Sequence, residues 1–513
     1  MRMGRWHSAL WARTTSSSRL FNTFLLSLSR RCTSWRGLRT LPAVDDYSRA
    51  RLRYSIELKQ GFRVLLSILK EPELGRQLQE IVLDRTSSLD WRGEHGYKIQ
   101  ATKAVVSADD LGRLQQAIRN IGIEDWDEQA RFLNMVLQDF NYFELRDAGL
   151  FYRAQALAAL LISVGQVEKL AFGPYGEHFP GKEFGFHNYL RRMAASREPT
   201  ALQNLRHVRF LPDSDSIYED TRFYSECDIY GCLNLVRELP SIVSVRFDAM
   251  TLGKEPGIWP PPRSANYTDI MLCHCAIPDV DLGIIIRSAK NLERFTYTVG
   301  GRHEMDYTPV FTRPLLESLL VHHETLKYLN LDIESHTSEL EMLDESSMEL
   351  YPKEDYEQEE YEAHWADELA ELASPEQHRP HNPSVLCMLR SLSRLKHLSI
   401  GSRVLYCYAR GFGAGVTEPF SLVDHLPPSL ESLRIYGYGS NDGEGLYSPP
   451  DIGLDAQFAK LLEEKEQKLP LLSVIEGLDT PIPNGRNTYN PDDDEEELSW
   501  HRKDDEWVQD DDS

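Results

Sequence analysis

Cys273, His274 and Cys275 stand in succession within the stretch TDIMLCHCAIPDVDLGIIIRSAKNLERFTY, residues 268 to 297. Thiolate and imidazole are the zinc ligands of choice, and a structural site wants four of them. Cys227 and Cys232 could supply two more, but no His or Cys pair at a matching interval follows them. His322, His323 and Glu324 are also adjacent, yet neighbouring positions do not share a helix face. The glycines of GFGAG (411 to 415) and GYGSNDGEG (437 to 445) are spaced like those of phosphate loops, without the Gly-Lys-Ser/Thr ending that such loops need. Neither a G-x-S-x-G nor an H-E-x-x-H motif occurs. The expectation is a chain with no catalytic residues, metal or cofactor, whose Cys-His-Cys run has a structural use.

The elements around that run supply the use. Nine windows carry apolar residues at their first, fourth and sixth places: LQEIVLD (78 to 84), VEKLAFG (167 to 173), LRHVRFL (205 to 211), IVSVRFD (242 to 248), YTDIMLC (267 to 273), LERFTYT (292 to 298), LKYLNLD (326 to 332), LKHLSIG (395 to 401) and LESLRIY (430 to 436). In a short strand, places four and six point to one face and places three, five and seven to the other. One such strand with its following helix cannot bury its apolar face alone, so neighbours must stack. The fourth-place residues are separated by 89, 38, 37, 25, 25, 34, 69 and 35 positions; the gaps of 89 and 69 are either insertions or degenerate repeats. Helical spacing marks residues 152 to 165 and 454 to 469. Residues 107 to 140 also read as helical, opened by Ser107 with Asp110 three places on, a variant capping box.

This ladder resembles a leucine-rich-repeat protein, and FRVLLSILKEPELGRQLQEIVL (62 to 83) resembles the segment that opens the repeats of many fungal F-box and leucine-rich-repeat proteins. The resemblance implies an α/β solenoid, a curved parallel sheet with helices on the convex side, over residues 45 to 480 with a helix-rich start. It also implies an inward place nine, occupied by Cys275, with Cys273 facing the concave surface and His274 in the bend. LLSLSRRCTSWRGL (25 to 38) resembles the later part of an F-box, with Trp35 at its usual tryptophan, although the Leu-Pro-x-Glu opening is missing. A working F-box would dock a Skp-type adaptor and make the chain a substrate receptor of a cullin-type ubiquitin ligase. The first expectation remains a non-catalytic scaffold for a protein partner. Its contacts would be the outward residues Lys169, Arg209, Arg246, Met271, Arg294, Tyr328, Arg434 and Tyr436, on a face that also carries Asp248, Asp269 and Asp332.

The net charge of −24 is unevenly placed. Residues 334 to 376 hold sixteen acidic side chains against Lys353, within an acidic insert read over 334 to 384; residues 492 to 512 hold twelve against Arg502 and Lys503, within a tail read as disordered over 485 to 513. Such a balance argues against nucleic acid and anionic membrane, whose binding rests on neutralising phosphates with Lys and Arg. In the insert, Tyr361, Trp365, Leu369 and Leu372 fall at helical spacing before Ser374-Pro375. No apolar run reaches the length needed to span a bilayer. Seven cysteines form no even framework, which points to a reducing compartment, cytoplasmic or nuclear. Residues 1 to 44 hold eight arginines and no acid, read as a disordered leader or, alternatively, as a presequence for the mitochondrial matrix.

Overall fold

The computed structural model describes residues 48–52, 55–83, 102–139, 148–173, 186–195, 202–212, 224–253, 257–300, 310, 312–334, 389–410, 420–438, 453–484, 500–503 and 506–509. All belong to the unit Tyr47–Ser513; the other unit, Met1–Asp46, which holds the basic leader and the F-box-like segment, lies outside the described residues, as does the candidate helix of the acidic insert.

In chain order the strands are β1 (Arg49–Arg51), β2 (Glu80–Leu83), β3 (Thr102–Lys103), β4 (Gln138–Asp139), β5 (Lys169–Phe172), β6 (His207–Phe210), β7 (Ser225–Cys227), β8 (Ser244–Asp248) and β9 (Met250–Leu252). They continue with β10 (Asp269–Cys273), β11 (Arg294–Thr298), β12 (Tyr328–Asp332), β13 (His397–Gly401), β14 (Ser432–Tyr436), β15 (Val474–Glu476), β16 (Trp500–Lys503) and β17 (Glu506–Gln509). Eleven of them form one open sheet in the order β1-β2-β5-β6-β8-β10-β11-β12-β13-β14-β15, and the pairings along it are parallel. The strands follow one another across the sheet in chain order, with β3, β4, β7 and β9 set aside in two-stranded pairs. Parallel neighbours need crossover segments rather than hairpins, and most crossovers here contain a helix.

The nine windows are nine of these strands, and their fourth-place residues stand in register. Ile81 pairs with Leu170, Leu170 with Val208, Val208 with Val245, Val245 with Ile270, Ile270 with Phe295, Phe295 with Leu329, Leu329 with Leu398 and Leu398 with Leu433. The long gaps are therefore insertions between strands that pair directly. In the first insertion lie α2 (Ala108–Asn120), α3 (Trp126–Leu137) and α4 (Ala148–Val164), which gather with α1 (Ser55–Lys70). Ser107 caps α2: its hydroxyl accepts the Asp110 amide at 3.1 Å and donates to the Asp110 carboxylate at 2.8 Å.

Place six builds the core. Phe172, Phe210 and Phe247 come from consecutive strands, the first two edge to face at 5.1 Å between ring centres and the second two stacked at 4.5 Å. Against this buried face run α5 (Phe186–Ala195), α6 (Ile229–Val236), α7 (Asp279–Ser288), α8 (Thr312–Leu320), α9 (Ser402–Arg410), α10 (Leu422–His425) and α11 (Leu454–Lys468), several of them touching the next helix along. Among the described residues, no helix is long and apolar enough to cross a membrane. Within the acidic tail, β16 and β17 pair antiparallel.

Place eight takes a left-handed backbone in three repeats: Ala249 (φ 52°), His274 (φ 53°) and Gly437 (φ 68°). This conformation costs a side-chain-bearing residue about 1–2 kcal/mol. At His274 the turn is held by its amide, which donates to Thr298 Oγ1 at 2.9 Å, and by Nδ1, 3.1 Å from the Gly300 carbonyl. That is the bend expected between Cys273 and Cys275.

Candidate functional site: the open face of the sheet

Parallel strands in register bring equivalent places about 4.8 Å apart, so each outward place becomes a row of side chains across the sheet. Row three reads Glu80, Lys169, His207, Ser244, Asp269, Arg294, Tyr328, His397, Ser432 and Val474. Row five reads Val82, Ala171, Arg209, Arg246, Met271, Thr296, Asn330, Ser399, Arg434 and Glu476.

Most cations on these rows are matched to carboxylates. Arg209 and Arg246 both hold Asp248, at 2.5 and 2.8 Å, so two guanidiniums share one carboxylate and leave a net positive charge. Arg294 reaches the Asp269 carboxylate at 3.5 Å, and Arg434 reaches Glu476 at 2.6 Å. Lys169 is exposed beside His207, whose Nδ1 hydrogen-bonds Ser244 Oγ at 2.8 Å. Burial lowers the His207 pKa, and Lys169 and Arg206 press it the same way. Aromatic groups continue row three. The Arg294 guanidinium lies 4.4 Å from the centre of the Tyr328 ring, and that ring lies 6.2 Å from the His397 imidazole.

Exposure falls from row three to row seven. Lys169, Arg209 and Arg294 are exposed, while Arg246, Met271, Tyr328 and Arg434 are half-buried. Row seven is closed: Asp248, Cys273, Thr298, Asp332 and Tyr436 are all buried. The cause is the turn that follows it. Backbone bonds tie each turn to the end of the next strand there, the Ala249 amide to the Cys273 carbonyl at 2.8 Å and the Val299 amide to the Asp332 carbonyl at 2.9 Å. Two expectations are corrected accordingly. Cys273 is 1% exposed and does not face the open surface, and Tyr436, expected as a contact residue, is 2% exposed. The Tyr436 ring reaches across the side-chain-free Gly401 strand, and its hydroxyl donates to Asn330 Oδ1 at 3.0 Å. Cys275 is inward as expected, its thiol 3.4 Å from the Cys273 carbonyl.

The structure adds properties that pattern reading missed. Asp269 has one carboxylate oxygen buried without a hydrogen bond, and burial pushes its pKa up to about 6 against the pull of Arg294. Glu334, just beyond β12, accepts the Arg403 amide at the start of α9 and the Asn484 side-chain amide at 3.4 Å; burial lifts its pKa to about 6. Neither has a motif, because each is defined by residues tens of positions away. The Cys227 and Cys232 thiols lie 3.9 Å apart, both buried and not joined by a disulfide, and burial raises the Cys227 thiol well above its usual range. Among the described residues, no group of three or more His, Cys, Asp or Glu side chains is arranged to hold a metal ion.

The sequence matches no protein-family model. A search of curated proteins finds no match to it either.

Proposed function

We propose that this chain is a leucine-rich-repeat solenoid acting as a non-catalytic scaffold, which grips a protein partner on rows three and five of its open face. One observation carries the reading: in-register stacking presents Lys169 and Arg209 at one end and Arg294, Tyr328 and His397 further along, joined across the two strands between them by half-buried Arg246 and Met271, as an exposed to half-buried strip that is cationic at one end and aromatic further along. Arginine and tyrosine are the residues that dominate protein interfaces, since each combines contact area with polar recognition. The arginines are held in place by Asp248 and Asp269, so less side-chain entropy is lost on docking. A cationic strip on a chain of net charge −24 suits an acidic protein segment. The compartment proposed is the cytoplasm or nucleus.

The test is affinity capture of the tagged full-length chain from cell extract, compared by mass spectrometry with the variant Arg209→Glu/Arg294→Glu/Tyr328→Ala. The expected result is a set of proteins enriched by the wild type and lost from a variant with unchanged thermal melting. Identical captures would sink the open-face reading. Recovery of a Skp-type adaptor, retained by the variant, would replace it with a ligase receptor working through residues 25 to 38.

A further inference from the structure

Away from the open face, the connection from β9 to β10 carries the sequence GIWPPPRS over residues 257 to 264. Ile258 is 86% exposed and Trp259 39%, the first among the most exposed large apolar side chains described. Surface apolar residues scattered singly mean little, but two adjacent ones followed by three prolines are a continuous feature.

The backbone conformation follows from covalent geometry. Proline fixes φ near −65°, which sets Pro260, Pro261 and Pro262. Trp259, Pro260 and Pro261 each precede a proline, which drives them to extended or polyproline-II backbone. A polyproline-II helix has three residues per turn, so residues three apart share a ridge. Ile258 and Trp259 are exposed, Pro260 is buried, and Pro261 and Pro262 are exposed. Two ridges therefore face outward, Ile258 with Pro261 and Trp259 with Pro262, and Pro260 seats the loop. Arg263, exposed and with φ of 52°, ends the run.

This loop is also tied down. Gly257 donates its amide to the N-cap carboxylate of Asp228 at 3.0 Å, and Asn234 of α6 donates to the Ile258 carbonyl at 2.6 Å. Beyond the prolines, the Ser264 hydroxyl donates to the Pro261 carbonyl at 2.6 Å, and the Arg263 amide donates to the Arg287 carbonyl at the end of α7 at 2.8 Å. A segment without internal backbone bonds is thus fixed at both ends on the helix side of the sheet. Such preorganisation removes much of the ordering cost that a free proline-rich peptide meets on binding.

We infer that residues 258 to 262, flanked by Arg263, are a preformed polyproline-II ligand for a protein domain whose groove is lined by aromatic side chains. The recognition chemistry is that of proline-rich peptides in aromatic grooves, with Ile258/Pro261 and Trp259/Pro262 filling adjacent slots and Arg263 meeting an acidic rim. The loop shares no residue with rows three and five, so a partner of one surface is independent of the other.

The experiment uses the full-length chain against a panel of Src-homology-3 and WW domains, immobilised at equal density, in parallel with sedimentation on phosphatidylserine-containing vesicles. At least one domain should retain the chain, with Trp259→Ala and Pro262→Ala each weakening retention tenfold or more. Asn234→Ala, which frees the Ile258 carbonyl while leaving the ridges intact, should weaken it about threefold. Circular dichroism and thermal melting of all three variants should match the wild type. Failure of every domain to bind, or equal retention of wild type and Trp259→Ala, would overturn the inference. So would Trp259-dependent sedimentation with vesicles and no domain binding, which would make the loop a lipid-facing one.

Discussion

Arg294 on β11 stacks over the ring of Tyr328 on β12, its guanidinium carbon 4.4 Å from the ring centre, while the same side chain reaches back to Asp269 on β10. Three strands are thereby linked through one arginine on the open face. Because Arg294 is more than half exposed, the cation-ring attraction should be modest, about 0.5–1 kcal/mol. A double-mutant cycle of Arg294→Ala and Tyr328→Leu, followed by urea unfolding, should return a coupling of that size. Coupling indistinguishable from zero would mean that Tyr328 is positioned by its strand alone.

Asp269 pays for its place between strands. Its folded pKa is about 6 against an ordinary 3.8, so between those values the folded state binds more protons than the unfolded one. Stability from this group therefore rises as pH falls from about 6 to about 4. At roughly 1.4 kcal/mol per pH unit the span is roughly 3 kcal/mol. Asp269→Asn removes the titration, so the wild type should gain on the variant as pH is lowered through that window. A constant difference in melting temperature from pH 7 to pH 4 would refute the assignment.

How far the fold could be read from residues depended on whether the burial was periodic. Leu170, Val208, Val245, Ile270 and their equivalents set strand, face and register at once, because a parallel stack repeats one local pattern. The edge strands escaped. β1 has Ala50 at place four, with buried Leu52 just past the strand, and β15 has Ile475 at place four but Gly477 at place six, so neither carries the large apolar pair of the nine windows. The period-two rule also placed Tyr436 and Cys273 on the open face, and there it failed. Alternation gives the side of the sheet but not the depth along the strand, and turns bonded to the neighbouring strand ends close row seven. Asp269 lies at an outward place that was read correctly, yet its strained protonation arises from packing that no spacing records.

The cysteines give a sharper test of depth. Cys227, Cys232, Cys273, Cys275 and Cys407 are all buried and unbridged. Thiolates, not thiols, react, and burial disfavours the charged form. In a Cys32→Ser/Cys387→Ser background, a disulfide reagent such as dithiobisnitrobenzoate should label none of these five thiols in the folded protein and all five in guanidinium. Rapid labelling of one thiol under native conditions, located by peptide mapping, would show that Cys273 and row seven are open after all or that the neighbouring turns unfold locally.

His322 should give the opposite pH response to Asp269. It follows α8 and joins two neighbouring repeats: Nδ1 accepts the Leu292 amide at 3.4 Å and Nε2 donates to the Ile286 carbonyl at 3.0 Å. That pattern requires the neutral ring, because a protonated imidazole would turn a second donor toward an amide. Burial pulls the folded pKa down to about 4 from 6.5. The unfolded chain therefore binds more protons between those values, and stability from this group rises with pH across the window. Two and a half units correspond to roughly 3 kcal/mol. His322→Gln removes the titration, so the wild type should gain on the variant as pH is raised from about 4 to about 6.5. Asp269 and Glu334 both slope the other way over nearly the same interval, so His322 offsets them only in part, and replacing His322 should steepen the gain in stability towards low pH while replacing Asp269 should flatten it. A steep wild-type profile with unchanged slope in His322→Gln would place the acid-sensitive group elsewhere.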